Sequence, residues 1–489
     1  MRARTAILTA VAAAGLAHVT SGVTPPSGGG GTAPAFGAAG GSSATPAVPA
    51  GPSNLEAGYT TVAPGAHLFH VLARSQRPGA PLVVYVAGGP GASSMTPVFV
   101  GNGPWRLRAP FRPGRAEVSR NPWSWTRLAN VVYLDQPRHT GFSTGRARYL
   151  TSVRAAGRDF STWLRAFRRD HPQLARRKLI LAGESFAGTY ISEFTRRILD
   201  GDAGRGLRLA GLFLEAPSLG DTQAAPARAQ PDYLCARRLV SPANCTAGTA
   251  GGIRTLLHAC ATTIPGATAG TATLRQVEHA RSMACRRYRA QVTTRPSRTR
   301  TRPFPDTRRF PPELRATPVP EPLDMRLFPR SGEVRRHVGF SPNPYDTRRP
   351  CRPSGGFPPW CYRDGKLTRL LNAPATKAWI GGGIRPARRW RFADFRVSVT
   401  LSFKSRPPSN RNYARALRRG VPVLLAFGAH DWDINPFAAR HLVAAIAADA
   451  GPSARRLTHV ELPGAGHMLG LDRPRSTYRL MARFLDGAR

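Results

Sequence analysis

Leu179-Ile180-Leu181-Ala182 runs without a break into Gly183-Glu184-Ser185-Phe186-Ala187-Gly188. Four consecutive apolar residues read as a strand covered on both faces. The hexapeptide places one serine among small residues, and helical spacing follows it. A strand that turns sharply into a helix lifts a serine hydroxyl out of the sheet, and small neighbours are needed because the turn brings backbones close. The helix N-terminus beneath adds N–H donors and a partial positive charge. Read alone, G-x-S-x-A also describes an ordinary turn serine, so the reading depends on its partners.

A serine nucleophile needs a base, and the base needs an orienting acid. Gly464-Ala465-Gly466-His467-Met468 follows a predicted strand near Leu457–Leu462 and precedes a helical pattern at Arg475–Leu485. Gly428-Ala429-His430-Asp431-Trp432-Asp433 follows the run Val421–Phe427. A carboxylate just past the carboxyl end of a strand lies where ligands bind in open α/β sheets. Ser185, Asp431 and His467 stand in the chain order of the α/β-hydrolase triad. His430 precedes the acid and is rejected as the base. Gly88-Gly89-Pro90-Gly91, after the run Leu82–Val86, lets backbone N–H groups approach a developing oxyanion. The expected donors are Gly89 and Phe186. The loop lacks the Gly-Lys-Ser/Thr of a phosphate loop, so no nucleotide cofactor is expected.

Further apolar runs at Val131–Leu134 and Leu209–Leu214 alternate with helical spacing at Asp159–Phe167 and Pro436–Ala448. This alternation predicts an α/β fold, a mostly parallel central sheet with helices on both faces. Residues 223–365 break the pattern. They hold all six cysteines, many prolines and the stretch Arg295-Pro296-Ser297-Arg298-Thr299-Arg300-Thr301-Arg302. The expected organisation is a signal peptide over 1–22, a Gly/Ser/Pro/Ala linker over 23–53, a core in two parts over 54–222 and 366–489, and a lid-like insertion over 223–365. The signal reading rests on Arg2 and Arg4 ahead of the apolar run Thr5–Ala17, too short to span a bilayer. Export and an even cysteine count predict three disulfides within 235–361, and the absence of CxxC pairs argues against zinc. The chain has 489 residues and a formal charge of +44, with 71 basic residues of which only Lys178, Lys366, Lys377 and Lys404 are lysine. Arginine-rich, lysine-poor composition is what GC-rich coding produces. Such a surface also predicts weak electrostatic association with anionic surfaces, and no nucleic-acid motif accompanies it.

The chain resembles the serine carboxypeptidase family. Ala87-Gly88-Gly89-Pro90-Gly91-Ala92-Ser93-Ser94 is similar to its glycine-rich segment, and Gly183–Tyr190 to its nucleophile motif. Asn121-Pro122-Trp123-Ser124-Trp125, Leu134-Asp135-Gln136-Pro137, Gly141-Phe142-Ser143 and Leu371-Asn372-Ala373-Pro374 resemble further motifs. Gly466-His467-Met468 with Asp472 and Pro474 resembles its histidine motif. The resemblance runs from about Gly58 to Phe484 outside much of the insertion. It implies an α/β-hydrolase fold, export or a vacuole-like compartment, no cofactor, no metal, and release of C-terminal residues from peptides, often at acid pH. It also implies that side chains at Ala87, Gly101 and Glu184 would bind the terminal carboxylate. Family members usually carry Asn and Glu at the first two positions; here only Glu184 remains, with Asn102 beside the lost Glu and Gly88 in the same loop. The Cys usual at Ala92 is also missing. The expectation is therefore a secreted serine carboxypeptidase acting on peptides, with weak discrimination between free acids and amides unless arginines such as Arg106 or Arg138 replace the lost donors. The alternatives are an esterase, acyltransferase or aminopeptidase with the same triad, or an inactive arginine-rich protein that binds anionic polymers.

Overall fold

A computed structural model describes residues 48–49, 53–108, 117–204, 206–218, 232–239, 245, 342–343, 345–350, 365–381, 386, 388–404 and 410–487. The signal peptide, nearly all of the linker and most of the insertion lie outside these residues.

Eight strands build the main sheet: β1 (Leu55–Ala63), β2 (Ala66–Ala73), β3 (Leu82–Val86), β4 (Asn130–Asp135), β5 (Leu179–Glu184), β6 (Leu209–Glu215), β7 (Val423–Gly428) and β8 (Leu457–Leu462). Their spatial order is β1-β2-β4-β3-β5-β6-β7-β8, and the short strand Thr144–Gly145 adds to β2. From β4 to β8 every pairing is parallel. β2 runs antiparallel to both β1 and β4. This is the α/β-hydrolase fold. Its antiparallel edge hairpin turns through Pro64-Gly65, where Gly65 has φ 64°, the conformation that favours glycine.

The apolar runs are continuous because both faces of the sheet are covered. Side chains alternate along a strand, so Leu82, Val84 and Val86 pack into one cluster with Phe160, Trp163, Tyr190 and Phe194. These aromatics come from α1 (Val153–Asp170) and α2 (Ala187–Leu199). Val83 and Tyr85 enter the opposite cluster with Trp125, Met481 and Phe484, the last two from the helix Pro474–Gly487. The same alternation assigns the strand ends. Ile180 and Ala182 belong to the second face, as do Phe213 and Ala426. Glu184 and Glu215, each two residues further along, therefore follow that face.

Helix starts are capped by side chains. Ser152 accepts from Ala155 N–H ahead of α1, and Asn435 accepts from Ala438 N–H ahead of the helix Pro436–Ala450. Among the described residues no helix is long and apolar enough to cross a membrane. Cys235 is bridged to Cys245; the pairing of Cys260, Cys285, Cys351 and Cys361 lies outside the described residues.

His70 is a costly polar group in this core. It lies on β2 beneath Trp163, whose indole N–H donates to Nδ1 at 3.3 Å. The Phe167 ring stands 5.5 Å away. Burial, helped by His171, lowers its pKa from 6.5 to about 4. Between those two pH values the unfolded chain binds a proton that the folded chain refuses. Stability therefore falls as pH drops through that window. The total is about 3 kcal/mol at and below pH 4. His70→Leu removes this term, so its stability relative to wild type should improve by about that amount between pH 7 and pH 4, read from urea unfolding at both pH values. An unchanged difference would refute the assignment.

Candidate active site

The turn at Ser185 is built by crowding. Ser185 has φ 59°, a left-handed conformation that a non-glycine residue holds only where its surroundings impose it. Its N–H donates to Glu215 carbonyl at 3.0 Å, and its carbonyl accepts from Gly188 N–H and Ser218 N–H, each at 2.9 Å. The neighbours must be small. A Cβ on Gly183 would lie 2.3 Å from Val86 O. One on Gly88 would lie 2.6 Å from Glu184 O and Phe186 N and 2.7 Å from Ser185 Cβ. The glycine loop after β3 is thus pressed directly against the serine turn. Phe186 caps α2 from outside its first turn, where a backbone N–H has no carbonyl within the helix to bond.

The glycine loop is held from behind by Asp135, at the end of β4. Its Oδ1 accepts from Ser93 Oγ at 2.7 Å and from Ser94 N–H at 2.8 Å, while Oδ2 accepts from Phe142 N–H at 2.8 Å. Ser94 Oγ donates to Leu134 O and accepts from Ala87 N–H. Trp390 donates its indole N–H to Ser93 Oγ, and Asn372 holds Trp390 by two backbone hydrogen bonds. Ser143 Oγ donates to Asp135 O. Ser93 and Ser143 are therefore occupied in the scaffold. The motif at Asn121–Trp125 has a matching task. Asn121 Nδ2 donates to Gly101 O and Gly103 O, and Trp125 N–H donates to Asn102 O. This fixes the loop that carries Asn102, whose Oδ1 accepts from Tyr133 Oη at 3.1 Å.

Asp431 and His467 meet across the carboxyl ends of β7 and β8. His467 Nδ1 lies 2.7 Å from Asp431 Oδ2. Asp431 Oδ1 accepts from Ile434 N–H at 3.0 Å, which fixes the carboxylate. The histidine loop is held on three sides. His467 N–H donates to Tyr345 O at 2.7 Å and His430 N–H donates to Ala465 O. Gly466 N–H donates to Asp472 Oδ2. Glycine is required again, since a Cβ on Gly428 would lie 2.0 Å from Gly466 O, and one on Gly466 would lie 2.2 Å from Tyr345 O. Tyr345 was not singled out by sequence; it comes from the end of the insertion.

Burial alone would lower the His467 pKa. The charge and hydrogen bond of Asp431, then the charges of Asp433 and Glu184, outweigh it and raise the pKa to about 9. The neutral form of His467 is thereby disfavoured. Asp433 is pushed up to about 6, by burial first and by Asp431 as well, against the opposing effect of His467. Reciprocally, the charge of His467 acts on Glu184, so the serine turn and the histidine loop share one electrostatic site. Among the described residues no group of three or more His, Cys, Asp or Glu is arranged to hold a metal ion.

Of the arginines considered as replacement donors, Arg138 is committed elsewhere, in a two-bond pair with Asp159 at 2.6 and 2.8 Å. Arg106 lies on the short strand Trp105–Leu107, opposite Ser119. Sequence reading missed Glu215. It ends the run Leu209–Leu214, so it carries the same signal as Asp431: a carboxylate at the carboxyl end of an apolar strand. It is 1% exposed, and Tyr85 Oη donates to its Oε2 at 3.2 Å.

A family model for serine carboxypeptidases matches residues 46–453. Serine carboxypeptidase-like 49 of Arabidopsis thaliana is 32% identical over 173 residues, 35% of this chain and 32% of that protein. Carboxypeptidase Y of Schizosaccharomyces pombe is 37% identical over 149 residues, 30% of this chain and 14% of its own length. These matches therefore span about a third or less of the relatives. The solved structure of KEX1(delta)p, a prohormone-processing carboxypeptidase from Saccharomyces cerevisiae, superposes with a TM-score of 0.63 at 16% identity, covering 88% of this chain and 91% of that one; this likeness speaks for the fold. With the family model matched over most of its length, the chain belongs to the serine carboxypeptidase family.

Proposed function

We propose that this chain is an exported serine-type carboxypeptidase in which Ser185 is the nucleophile, His467 the base and Asp431 its orienting acid. The observation that carries the reading is the buried 2.7 Å contact of Asp431 with His467 Nδ1, at the same sheet edge as the strained turn of Ser185. With Nδ1 engaged, Nε2 is the nitrogen left to take the serine proton. Ser185 Oγ attacks the scissile carbonyl, and its proton passes to His467. The N–H groups of Gly89 and Phe186 receive the oxyanion. The C–N bond breaks as His467 returns the proton to the leaving amine, leaving an acyl-serine. Water then adds to the acyl carbon by the same proton route and frees Ser185.

Residues 223–365 act as a lid in this reading. Support comes from their described end, where Tyr345 and Thr347 bond the loops of His467 and His430. Arg348 Nη1 also donates to Gly464 O. The apolar run Thr5–Ala17 behind Arg2 and Arg4 supports export. Peptides are the substrates, and the arginine-rich surface adds weak, salt-sensitive attraction to anionic surfaces.

A fluorophosphonate should label Ser185 alone, and Ser185→Ala should lower activity by on the order of 10³-fold or more. Labelling at Ser93 or Ser143 instead would overturn the assignment. Asp431→Asn should cost roughly 10³–10⁴-fold in kcat, far more than Asp433→Asn. The smaller substitution has its own signature. Removing the Asp433 charge takes away one of the groups that raise His467 to about 9. The base form then appears at lower pH, and the acid limb of kcat/KM for a neutral ester should move down. A limb that stays put, or moves up, would refute the electrostatic account.

A further inference from the structure

Glu215 is a buried acid that the proposed triad does not use. It stands directly opposite Glu184 in the β5/β6 register, so two carboxyl-bearing residues sit on adjacent strands roughly 4.8 Å apart at the backbone. Glu184 immediately precedes Ser185 and is partly exposed; Glu215 lies behind it at 1% exposure. Tyr85 on β3 donates to Glu215 Oε2, while Oε1 is buried with no hydrogen-bond partner among the described residues. Tyr133 on β4 feels the charge of Glu215 as well, and Ala426, paired with Glu215 on β7, adds no charge. No cation reaches Glu215 from these strands; His467 acts on Glu184 instead.

Two carboxylates in such a place cannot both ionise freely. An ionised Glu215 would be a buried anion served by one neutral hydroxyl, which leaves its desolvation largely uncompensated. Burial, then the charge of Glu184, accordingly holds its proton up to about 8. A neutral Glu215 carries an O–H, the carboxyl directly across the register from it is that of Glu184, and burial raises the pKa of Glu184 as well. Ala87 and Gly101 supply no side-chain donor nearby, so the acid pair is the strongest source of donors beside the nucleophile.

We propose that Glu215 is the specificity-determining partner of Glu184: neutral Glu215 donates its O–H to one oxygen of the Glu184 carboxyl, so that Glu184, which keeps its own proton at acid pH, meets the substrate as a hydrogen-bond donor and the enzyme favours peptides with a free terminal carboxylate. Glu215 is a positioning residue that acts through Glu184. This rests on the reading of Ser185 as a nucleophile that acts at peptide C-termini. The proposal reverses the weak discrimination expected from Ala87 and Gly101. It also gives the preference a direction with pH. As Glu184 loses its proton, its carboxylate repels the substrate's own, and the preference declines.

The test measures kcat/KM for one blocked dipeptide as free acid, amide and methyl ester, at pH 5 and pH 8, on the full chain. A hydrogen bond to a charged group contributes about 1.5–3 kcal/mol, or roughly 10–100-fold. Wild type should prefer the acid over the amide by at least that lower bound at pH 5, and by less at pH 8. Glu215→Ala should cut the preference at pH 5 by about tenfold or more, through KM for the acid. Glu215→Gln, which keeps a neutral donor, should restore most of it, a rescue that a merely structural role does not predict. A preference unchanged in Glu215→Ala, or equally lost in Glu215→Gln, overturns the proposal. Fluorophosphonate labelling of each protein reports whether its site is folded; if Glu215→Ala does not label, the Gln variant and the wild-type pH trend decide. An unlabelled wild type would defeat the nucleophile reading itself. A labelled wild type with no acid preference at pH 5 would defeat only the acid pair.

Discussion

Asp135 is an anion without water, and the shape of the site depends on how it is satisfied. Burial pushes its pKa up to about 6 in spite of the Phe142, Ser93 and Ser94 hydrogen bonds that oppose the rise. Those donors come from two different loops. Ser93 and Ser94 belong to the turn after the glycines, and Phe142 to the loop after β4. To serve the carboxylate, both loops must fold back onto the end of β4. Gly141 has no room for a side chain there, because a Cβ would lie 2.1 Å from Asp135 Oδ2. The glycine loop is thus drawn toward the serine turn by a polar requirement several residues away from it.

The opposite wall is set by sterics. Gly88 against Ser185, Gly183 against Val86, Gly428 against Gly466 and Gly466 against Tyr345 are approaches in which a single Cβ would collide with backbone or with Ser185 itself. Backbone cannot rotate away as a side chain can, so these collisions have no inexpensive relief. Crowding of this kind fixes position without flexible side chains, as the proposed chemistry would require of its reacting atoms. The polar knot at Asp135 and the glycine contacts are complementary: one pulls the loops inward, and the other sets how far they can come.

Much of this was legible in the sequence because it is local. A continuous apolar run means a strand covered on both faces, and β3, β4, β5, β6 and β7 all fall where such runs lie, whereas β8 is mostly only partly buried. The turn around Ser185, the loop around His467 and the carboxylate at Asp431 were visible because each sits just past a predicted strand. What escaped depends on pairing between distant residues. The β1–β2 hairpin lacks a continuous run on β1, whose residues are mostly only partly buried, so its pattern is weak. Glu215 was passed over because a strand's last residue looks like an ordinary boundary until the register sets it opposite Glu184. Tyr345 could not be tied to His467 from sequence, since 122 residues separate a carbonyl from the N–H it accepts.

The net charge of +44 suggests a molecule made for anions, yet the site is acidic. Asp431, Asp433 and Glu184 act on a single imidazole, and Glu215 lies opposite Glu184. Exposed arginines are screened over about 8 Å at physiological salt, whereas the charges that act on His467 are close and poorly solvated. Local burial therefore decides the protonation of the site, and the surface charge acts only at longer range. Under the proposed function, a substrate ending in a carboxylate would be attracted at long range and would then meet acids at short range. Such a site would accept that terminus only with some of its acids protonated, and desolvation of the Glu184–Glu215 pair would favour that state. Specificity and base strength are then coupled through Glu184, whose charge, when present, both repels a carboxylate and holds the proton on His467.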